Sequence, residues 1–343
     1  MLKLYILPVH RVVQETADAI SLHFKQPAVD RIWYKAGQYL SFRFHLKGES
    51  HVRSYSISSA PRLDDTLAVT IKKVEGGLIS NYLLADARPG MQLEMSRPLG
   101  RFFVENSVKE ERQLVLLGAG SGITPLFSIL RSTLINEPKS TVALIYANRS
   151  PKETIFRDQL QSLQQTFASR FQLINHYSQE QGRMEVSQLK SYLEEIGMGS
   201  EAEYMLCGPE GWMKMIRQGL YEAGIPEHQL RQESFAIPEQ EQKAQLPSDG
   251  PTREVKVQLG EQRHHFRVPA GTTILDAALS QGLNLPHSCK AGTCAACMGR
   301  IQSGQVTMDS NDALLDFEIE QGKVLVCQAH PDTDDVKIRI GWN

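Results

Sequence analysis

Apolar and polar positions alternate in short runs along the first 105 residues: SLHFKQ (21–26), YLSFRFHL (39–46), SYSISS (54–59), LAVTIKKV (67–74) and MQLEMSRP (91–98). A period of two turns one face of each run to a core and the other to water, and turn-forming residues part the runs. Together they predict an antiparallel β-barrel. From about residue 110 the pattern changes. Apolar runs LVLLGAG (114–120), TVALIYA (141–147), FQLINHYS (171–178) and EYMLCGP (203–209) alternate with helical stretches such as ITPLFSILRSTLI (123–135) and SYLEEIG (191–197). Strands apolar on both faces, separated by helices, predict a parallel sheet covered on both sides. PEQEQKAQLPSDGPT, residues 238–252, is polar and lacks aromatics, which predicts a linker. Beyond it REVKVQL (253–259) and HHFRV (264–268) predict a hairpin, TILDAALSQ (273–281) a helix, and VLVCQ (324–328) and DVKIRI (335–340) strands. The expected division is 1–105, 106–237, a linker at 238–252, and 253–343.

Composition fits two or three cores, since 41% of the 343 residues are hydrophobic. Charge narrows the partners. Lys and Arg number 37 against 39 Asp and Glu, a net charge of -2 that leaves no basic surplus for a phosphate backbone. Nucleic acid is not an expected partner. No stretch of 18 apolar residues occurs, and MLKLYILPVHR is broken by Pro8 and His10 without a small-residue cleavage pattern. The expectation is a soluble, cytoplasmic protein with no membrane partner. In a reducing compartment clustered cysteines point to metal or redox chemistry rather than to disulfides.

Four of the five cysteines are arranged in a pattern: Cys289, Cys294 and Cys297 are spaced C-x4-C-x2-C, and Cys327 follows after 29 intervening residues. Four thiolates can close around two sulfide-bridged irons, and small neighbours such as Ala291, Gly292, Ala295 and Ala296 let backbone N–H groups approach the sulfurs. The alternative is structural zinc, which more usually shows two short Cys knuckles. A Rieske site would need a C-x-H partner for Cys327 and His330, and there is none. Residues 253–343 resemble a plant-type [2Fe-2S] ferredoxin domain of β-grasp fold. The resemblance implies Cys289, Cys294, Cys297 and Cys327 as ligands, with Ser288 and Thr293 donating hydrogen bonds to sulfur.

RSYSISSAP (53–61), GGLIS (76–80) and PLGRF (98–102) occur in the order and separations of the ferredoxin-NADP reductase superfamily, which the first two-thirds of the chain resembles. The resemblance implies a flavin. Arg53 would fork onto its pyrophosphate, Tyr55 stack on the ring, and Ser56 hydrogen-bond near N5. Ser54, Ile71, Lys72, Gly76, Leu78 and Ile79 would line the site. Gly77 would allow close backbone approach, and Ser80 would cap a helix SNYLLADA whose amides face phosphate. GAGSGITP (118–125) follows a strand and opens a helix, so Gly118, Gly120, Gly122 and Thr124 are expected at a pyrophosphate, although Ile123 departs from G-x-G-x-x-G. CGPEGWM (207–213) matches the superfamily's C-G-P motif. It implies a hydride-positioning role for Cys207, with Gly208 and Pro209 beside it, against the reading of Cys207 as a packing residue. Glu233, Ser234 and Phe235 resemble the closing E-S-F, which implies that Phe235 covers part of the flavin.

The fold class expected is thus multidomain: an antiparallel β-barrel flavin domain, an α/β parallel-sheet nicotinamide domain, and a C-terminal β-grasp ferredoxin domain. This order resembles the reductase components of bacterial multicomponent oxygenases, most of all the phenylacetyl-CoA epoxidase reductase group. The resemblance implies FAD, with the FMN of phthalate dioxygenase reductases as the alternative. It also implies electron flow from NAD(P)H through flavin and a [2Fe-2S] cluster to a terminal oxygenase. A different acceptor, such as a hybrid-cluster protein, or a redox sensor without turnover, are the alternatives. Asn148, Arg149 and Ser150 end the second parallel strand with no acidic residue for a ribose 2'-hydroxyl, and Arg149 can pair with a 2'-phosphate, which favours NADPH over NADH. The acidic stretch DSNDALLDFEIE (309–320) is a docking face for a basic partner or a solvated surface.

Overall fold

The computed structural model describes residues 5–27, 29, 31–46, 48–197, 199–235, 250–283, 285–287, 289–292, 295–311 and 313–340. Most of the expected linker, together with Ser288, Thr293 and Cys294, lies outside the described residues. Six antiparallel strands open the chain: β1 (Tyr5–Thr16), β2 (Ala19–Lys25), β3 (Tyr39–Leu46), β4 (Glu49–Ser56), β5 (Thr66–Lys72) and β6 (Gln92–Met95). They lie in the order β4-β3-β6-β1-β2-β5. An isolated bridge between Ile57 and Val69, with the Ser58 N–H donating to Ala68 O at 2.9 Å, joins the two outer strands into a barrel. Phe24, Leu40, Phe42, Leu67, Ile71 and Met95 fill its interior.

Helix α1 (Leu78–Asp86) follows β5, and it corrects the expectation for Ser80. Gly76 turns the chain in left-handed geometry (φ 69°), so the helix begins at Leu78 with Gly77 as its N-cap. Ser80 is the third helical residue; its hydroxyl accepts the Val74 N–H at 3.1 Å and caps nothing. The first amides of α1 therefore have no side-chain cap.

A second sheet, wholly parallel, has the order β11-β10-β7-β8-β9, built from β7 (Gln113–Ala119), β8 (Thr141–Asn148), β9 (Phe171–Tyr177), β10 (Glu203–Cys207) and β11 (Leu230–Glu233). Leu114, Val115, Leu116 and Leu117 are fully buried, as a strand covered on both faces requires. Helix α2 (Ile123–Asn136) follows β7 after one tight turn at Gly120–Gly122. The remaining crossovers carry α3 (Arg157–Thr166), α4 (Ser178–Gln181), α5 (Val186–Ile196) and α6 (Glu210–Glu222).

The C-terminal sheet is mixed, in the order β13-β12-β18-β14-β16. Its strands are β12 (Arg253–Leu259), β13 (Gln262–Val268), β14 (Met298–Ser303), β16 (Lys323–Leu325) and β18 (Val336–Ile340), with β12 and β18 parallel. Helix α7 (Ile274–Ser280), the pair β15 (Val306–Met308) and β17 (Ala329–Pro331), and α8 (Asp316–Glu320) complete it. The expected strand VLVCQ ends at Leu325. Cys327 stands in the turn beyond it, where a thiol is not held in the alternation of a strand.

Both later domains pack on the barrel. Ala36, Phe102 and Val104 join the core of the parallel sheet, and Arg131 holds Asp64 through two bonds of 2.6 and 2.7 Å. Tyr39, Val52 and Leu99 join the core of the C-terminal sheet. Among the described residues no helix is long and apolar enough to cross a membrane.

Candidate functional site

The end of β4 and the turn into α1 frame a cavity of about 490 Å³, within the usual size of cofactor clefts. Arg53, Ser54, Tyr55 and Ser56 form one wall, Lys72 and Gly77 to Ser80 the second, and Thr124 and Phe235 reach it from the parallel-sheet domain. Tyr55 packs its ring on Phe42, centroids 5.9 Å apart, and burial pushes its phenol up, so it stays neutral. The uncapped amides of α1 and the Arg53 guanidinium supply positive character for a pyrophosphate. Phe235 remains 45% exposed at the rim, free to stack on a ring seated below it. Ile71 and Gly76 do not line this cavity: Ile71 is fully buried in the barrel core, and Gly76 shapes the turn.

A second cluster forms where the parallel strands end. Gly118 pairs with Cys207 across β7 and β10, and three glycines of the loop differ in what they are needed for. Gly120 is left-handed (φ 54°); a methyl on Gly118 would crowd the end of the Leu126 side chain, at 3.1 Å, and touch the Tyr146 ring at an ordinary 3.6 Å. On Gly122 a methyl would stand 2.5 Å from the Cys207 carbonyl carbon and 2.8 Å from Gly208 N. Gly208 is as confined, with the Trp212 ring 2.8 Å from where its methyl would be. Pro209 lies exposed at the start of α6. Asn148 is buried at the end of β8, where neither its amide nitrogen nor its carbonyl oxygen makes a well-aligned hydrogen bond and the Tyr146 hydroxyl is its polar neighbour. A buried amide so placed beside a backbone cradle fits a nucleotide that supplies better-aligned partners. Arg149 is exposed and Ser150 half-buried next to it. Cys207 does not touch the cavity. It is fully buried, and burial, aided by the Glu233 carboxylate, pushes its thiol well up, so it is protonated at neutral pH.

The cysteine loop closes the arrangement. Cys289, Cys297 and Cys327 are buried in one core cluster. A hydrogen bond with Cys297 holds the Cys327 thiol below its ordinary range, against burial and the Cys289 charge, and the Ala291 N–H donates to Cys289 Sγ at 3.4 Å. Left-handed Lys290, Gly292 and Ala295 (φ 56°, 76° and 54°) curl the loop tightly. Clustered buried thiols met by backbone N–H suit an iron-sulfur core. Cys289 also lines the flavin-type cavity.

Comparison with known proteins divides the chain in the same sense. Residues 7–104 match the oxidoreductase FAD-binding domain, 116–218 the oxidoreductase NAD-binding domain, and 257–332 the 2Fe-2S iron-sulfur cluster binding domain. A component of 1,2-phenylacetyl-CoA epoxidase from Escherichia coli is 34% identical over 350 residues, covering 98% of both chains. The chain belongs to the three-module ferredoxin reductase family. The ferredoxin reductase component of 3-ketosteroid-9-alpha-monooxygenase from Mycolicibacterium smegmatis is 36% identical over 345 residues, covering 97% of this reductase and 96% of the relative. Phthalate dioxygenase reductase shares the fold, with a TM-score of 0.60 at 20% identity and 98% coverage of each chain. The reductase is an NAD(P)H-dependent oxidoreductase that carries FAD and a [2Fe-2S] cluster.

Several lining residues of this reductase lie outside any motif: Tyr39, Thr70 and Val74. Thr70 has a findable signal, being two residues before Lys72 on the same face of a predicted strand. Tyr39 has none, because only the pairing of β3 with β4, Tyr39 opposite Ser56, brings it to the site.

Proposed function

We propose that this reductase takes hydride from NADPH in preference to NADH and delivers single electrons to a terminal oxygenase. The observation that supports the reading is the shared cavity: flavin-type residues on β4 and α1, Phe235 from the second domain and Cys289 from the third line one space. Flavin chemistry supplies the exchange between two-electron and one-electron transfer. The chain's own residues bind, orient and exclude water. Arg53 and the α1 amides would anchor the diphosphate end, Tyr55 would hold the ring, and Ser56, 4% exposed, would offer its hydroxyl to it. Asn148 and the Gly118–Gly122 turn would seat the nucleotide, and Cys207, fully buried behind Gly122 and outside the cavity, would support that turn by packing. The two relatives, components of an epoxidase and of a monooxygenase, support an oxygenase as the partner. Arg149 supports NADPH: its side chain is 74% exposed and its contact with Glu153 is loose, at 3.9 Å.

The test is the visible spectrum of purified protein with flavin, iron and sulfide quantified, followed by reduction of cytochrome c by each nucleotide. Flavin and two irons per chain, with turnover, support the reading; a chain that binds both groups and reduces nothing would be a sensor. Arg149→Ala should lower kcat/KM for NADPH about tenfold and leave NADH within about twofold. Equal use of both nucleotides by the wild type would end the preference.

A further inference from the structure

The segment after β6 reads Arg97-Pro98-Leu99-Gly100-Arg101, and its Arg, Leu and Arg side chains all leave the barrel for the C-terminal domain. Leu99 is tied to β3 by reciprocal bonds with Tyr39 of 2.9 and 3.0 Å and packs in the C-terminal core. Arg101 lies within a flavin-family motif, yet it does not line the cavity. Its Nε and Nη2 donate to Leu314 O at 3.2 and 2.8 Å, and Nη2 reaches the Asp316 carboxylate at 2.7 Å. Arg97 pairs with Glu318, whose side chain is 1% exposed and which also holds Lys323 of its own domain. The gripped segment is fastened to the cysteine loop, because the Ala313 N–H donates to Gly292 O at 2.9 Å. One continuous path therefore runs from two barrel arginines, through residues 313–318, to the loop that brings Cys289 to the cavity wall.

We infer that Arg97 and Arg101 are positioning residues for electron transfer within the chain, forming a releasable charge clamp that seats the cysteine loop against the flavin cavity. The inference rests on the proposed function. Two features make the clamp releasable. Glu318 keeps Lys323 when Arg97 leaves, so separation strands no buried carboxylate without a partner. Asp316 is 86% exposed even while paired, which leaves its contact with Arg101 open to screening by salt. The barrel also holds the loop with Leu99, Tyr39 and Val52, a small apolar set. Two electrons enter with each hydride and leave singly, one to the iron pair and the second after the first has passed to the external acceptor, with the proton going to water. The clamp governs only the step between the two domains, because it sets what fraction of molecules hold the cysteine loop against the cavity.

Arg97→Gln/Arg101→Gln holoprotein, with single Arg101→Gln as the milder variant, is mixed anaerobically with NADPH while flavin and cluster bleaching are followed separately. The flavin phase should stay within about twofold of wild type, and the cluster phase should slow about three- to tenfold in low salt as loss of the two ion pairs lowers the docked fraction. Raising salt from about 0.05 to 0.5 M should slow the wild-type cluster phase and leave that of the double variant unchanged. Small-angle scattering gives a readout independent of turnover: the double variant should show the larger radius of gyration in low salt, and wild type should approach it in high salt. An unchanged cluster phase, or identical scattering profiles, would overturn the clamp. A wild type whose flavin is not bleached by nucleotide would sink the functional reading instead, and scattering would still decide the clamp.

Discussion

Replacing Gly122 by Ala sets two effects of known size against each other. Gly122 has ordinary right-handed geometry (φ -61°, ψ -12°), so alanine suits its backbone and, entering a helix, would gain up to about 1 kcal/mol. Against this stands the end of β10. The new methyl would lie 2.5 Å from the Cys207 carbonyl carbon and 2.8 Å from Gly208 N, with the carbonyl oxygen closer still. Contact between such atoms is comfortable near about 3.5 Å, so the turn and the strand must part by roughly 1 Å. Every obstructing atom is backbone in a parallel sheet, and none can rotate away. Overpacking of that kind costs about 1–3 kcal/mol, and here it falls at the upper end. The net expectation is destabilisation by about 1–2 kcal/mol, a fall in Tm of roughly 2–6 °C, and weakened nucleotide binding as the cradle widens. Differential scanning calorimetry with nucleotide titration checks both, and flavin content should be kept because Gly122 does not line that cavity. Gly120→Ala is the contrast: nothing lies within 4 Å of its methyl, so its cost of about 1–2 kcal/mol comes from left-handed backbone alone. A Gly122→Ala protein that melts at or above wild type and binds nucleotide normally would refute the reasoning.

Cys297→Ser should lose iron and sulfide, measured per chain, while nucleotide-driven ferricyanide reduction through the flavin persists. Arg53→Gln removes a charged donor worth about 1.5–3 kcal/mol, so FAD should bind the apoprotein about ten- to 100-fold more weakly by equilibrium dialysis. Burial alone would raise the Glu318 carboxyl, but bonds from Lys323, the Leu315 N–H and Arg97 outweigh it and hold the group below its ordinary range. A depressed carboxylate lends its stabilisation in full above the ordinary range and loses it as pH falls through the lowered value. Domain docking seen by scattering should therefore be flat from pH 8 to 5 and fail only in stronger acid; loss between pH 7 and 5 would contradict it.

Legibility in the sequence depends on whether the signal is local. β3 spans Tyr39–Leu46, the bounds of its alternating run, because its inner residues all meet the barrel core. β1 has no such mark: much of its length is exposed and it contains Pro8, so no clean period runs through it. The start of α1 departs from the expectation because a serine looks like a cap, whereas a left-handed glycine sets the boundary. Motif residues such as Arg53, Tyr55 and Gly77 gather as their types suggest, since each is fixed by its own strand or turn. Contacts such as Arg101 with Leu314 join residues more than 200 apart, and nothing near either one announces the other. The acidic stretch read as either a docking face or a solvated surface meets its own barrel at Asp316 and Glu318.

The seam at Ile57 and Val69 has a consequence for handling the protein. Two strand edges, β4 and β5, shield each other across a single bridge, and the strand on one side of it carries Arg53 to Ser56. Opened, each edge presents unpaired N–H and C=O groups that other chains can extend into aggregates. A flavin held as proposed would span β4 and the turn after β5 and clasp that join, so protein short of flavin would be the more prone to aggregate.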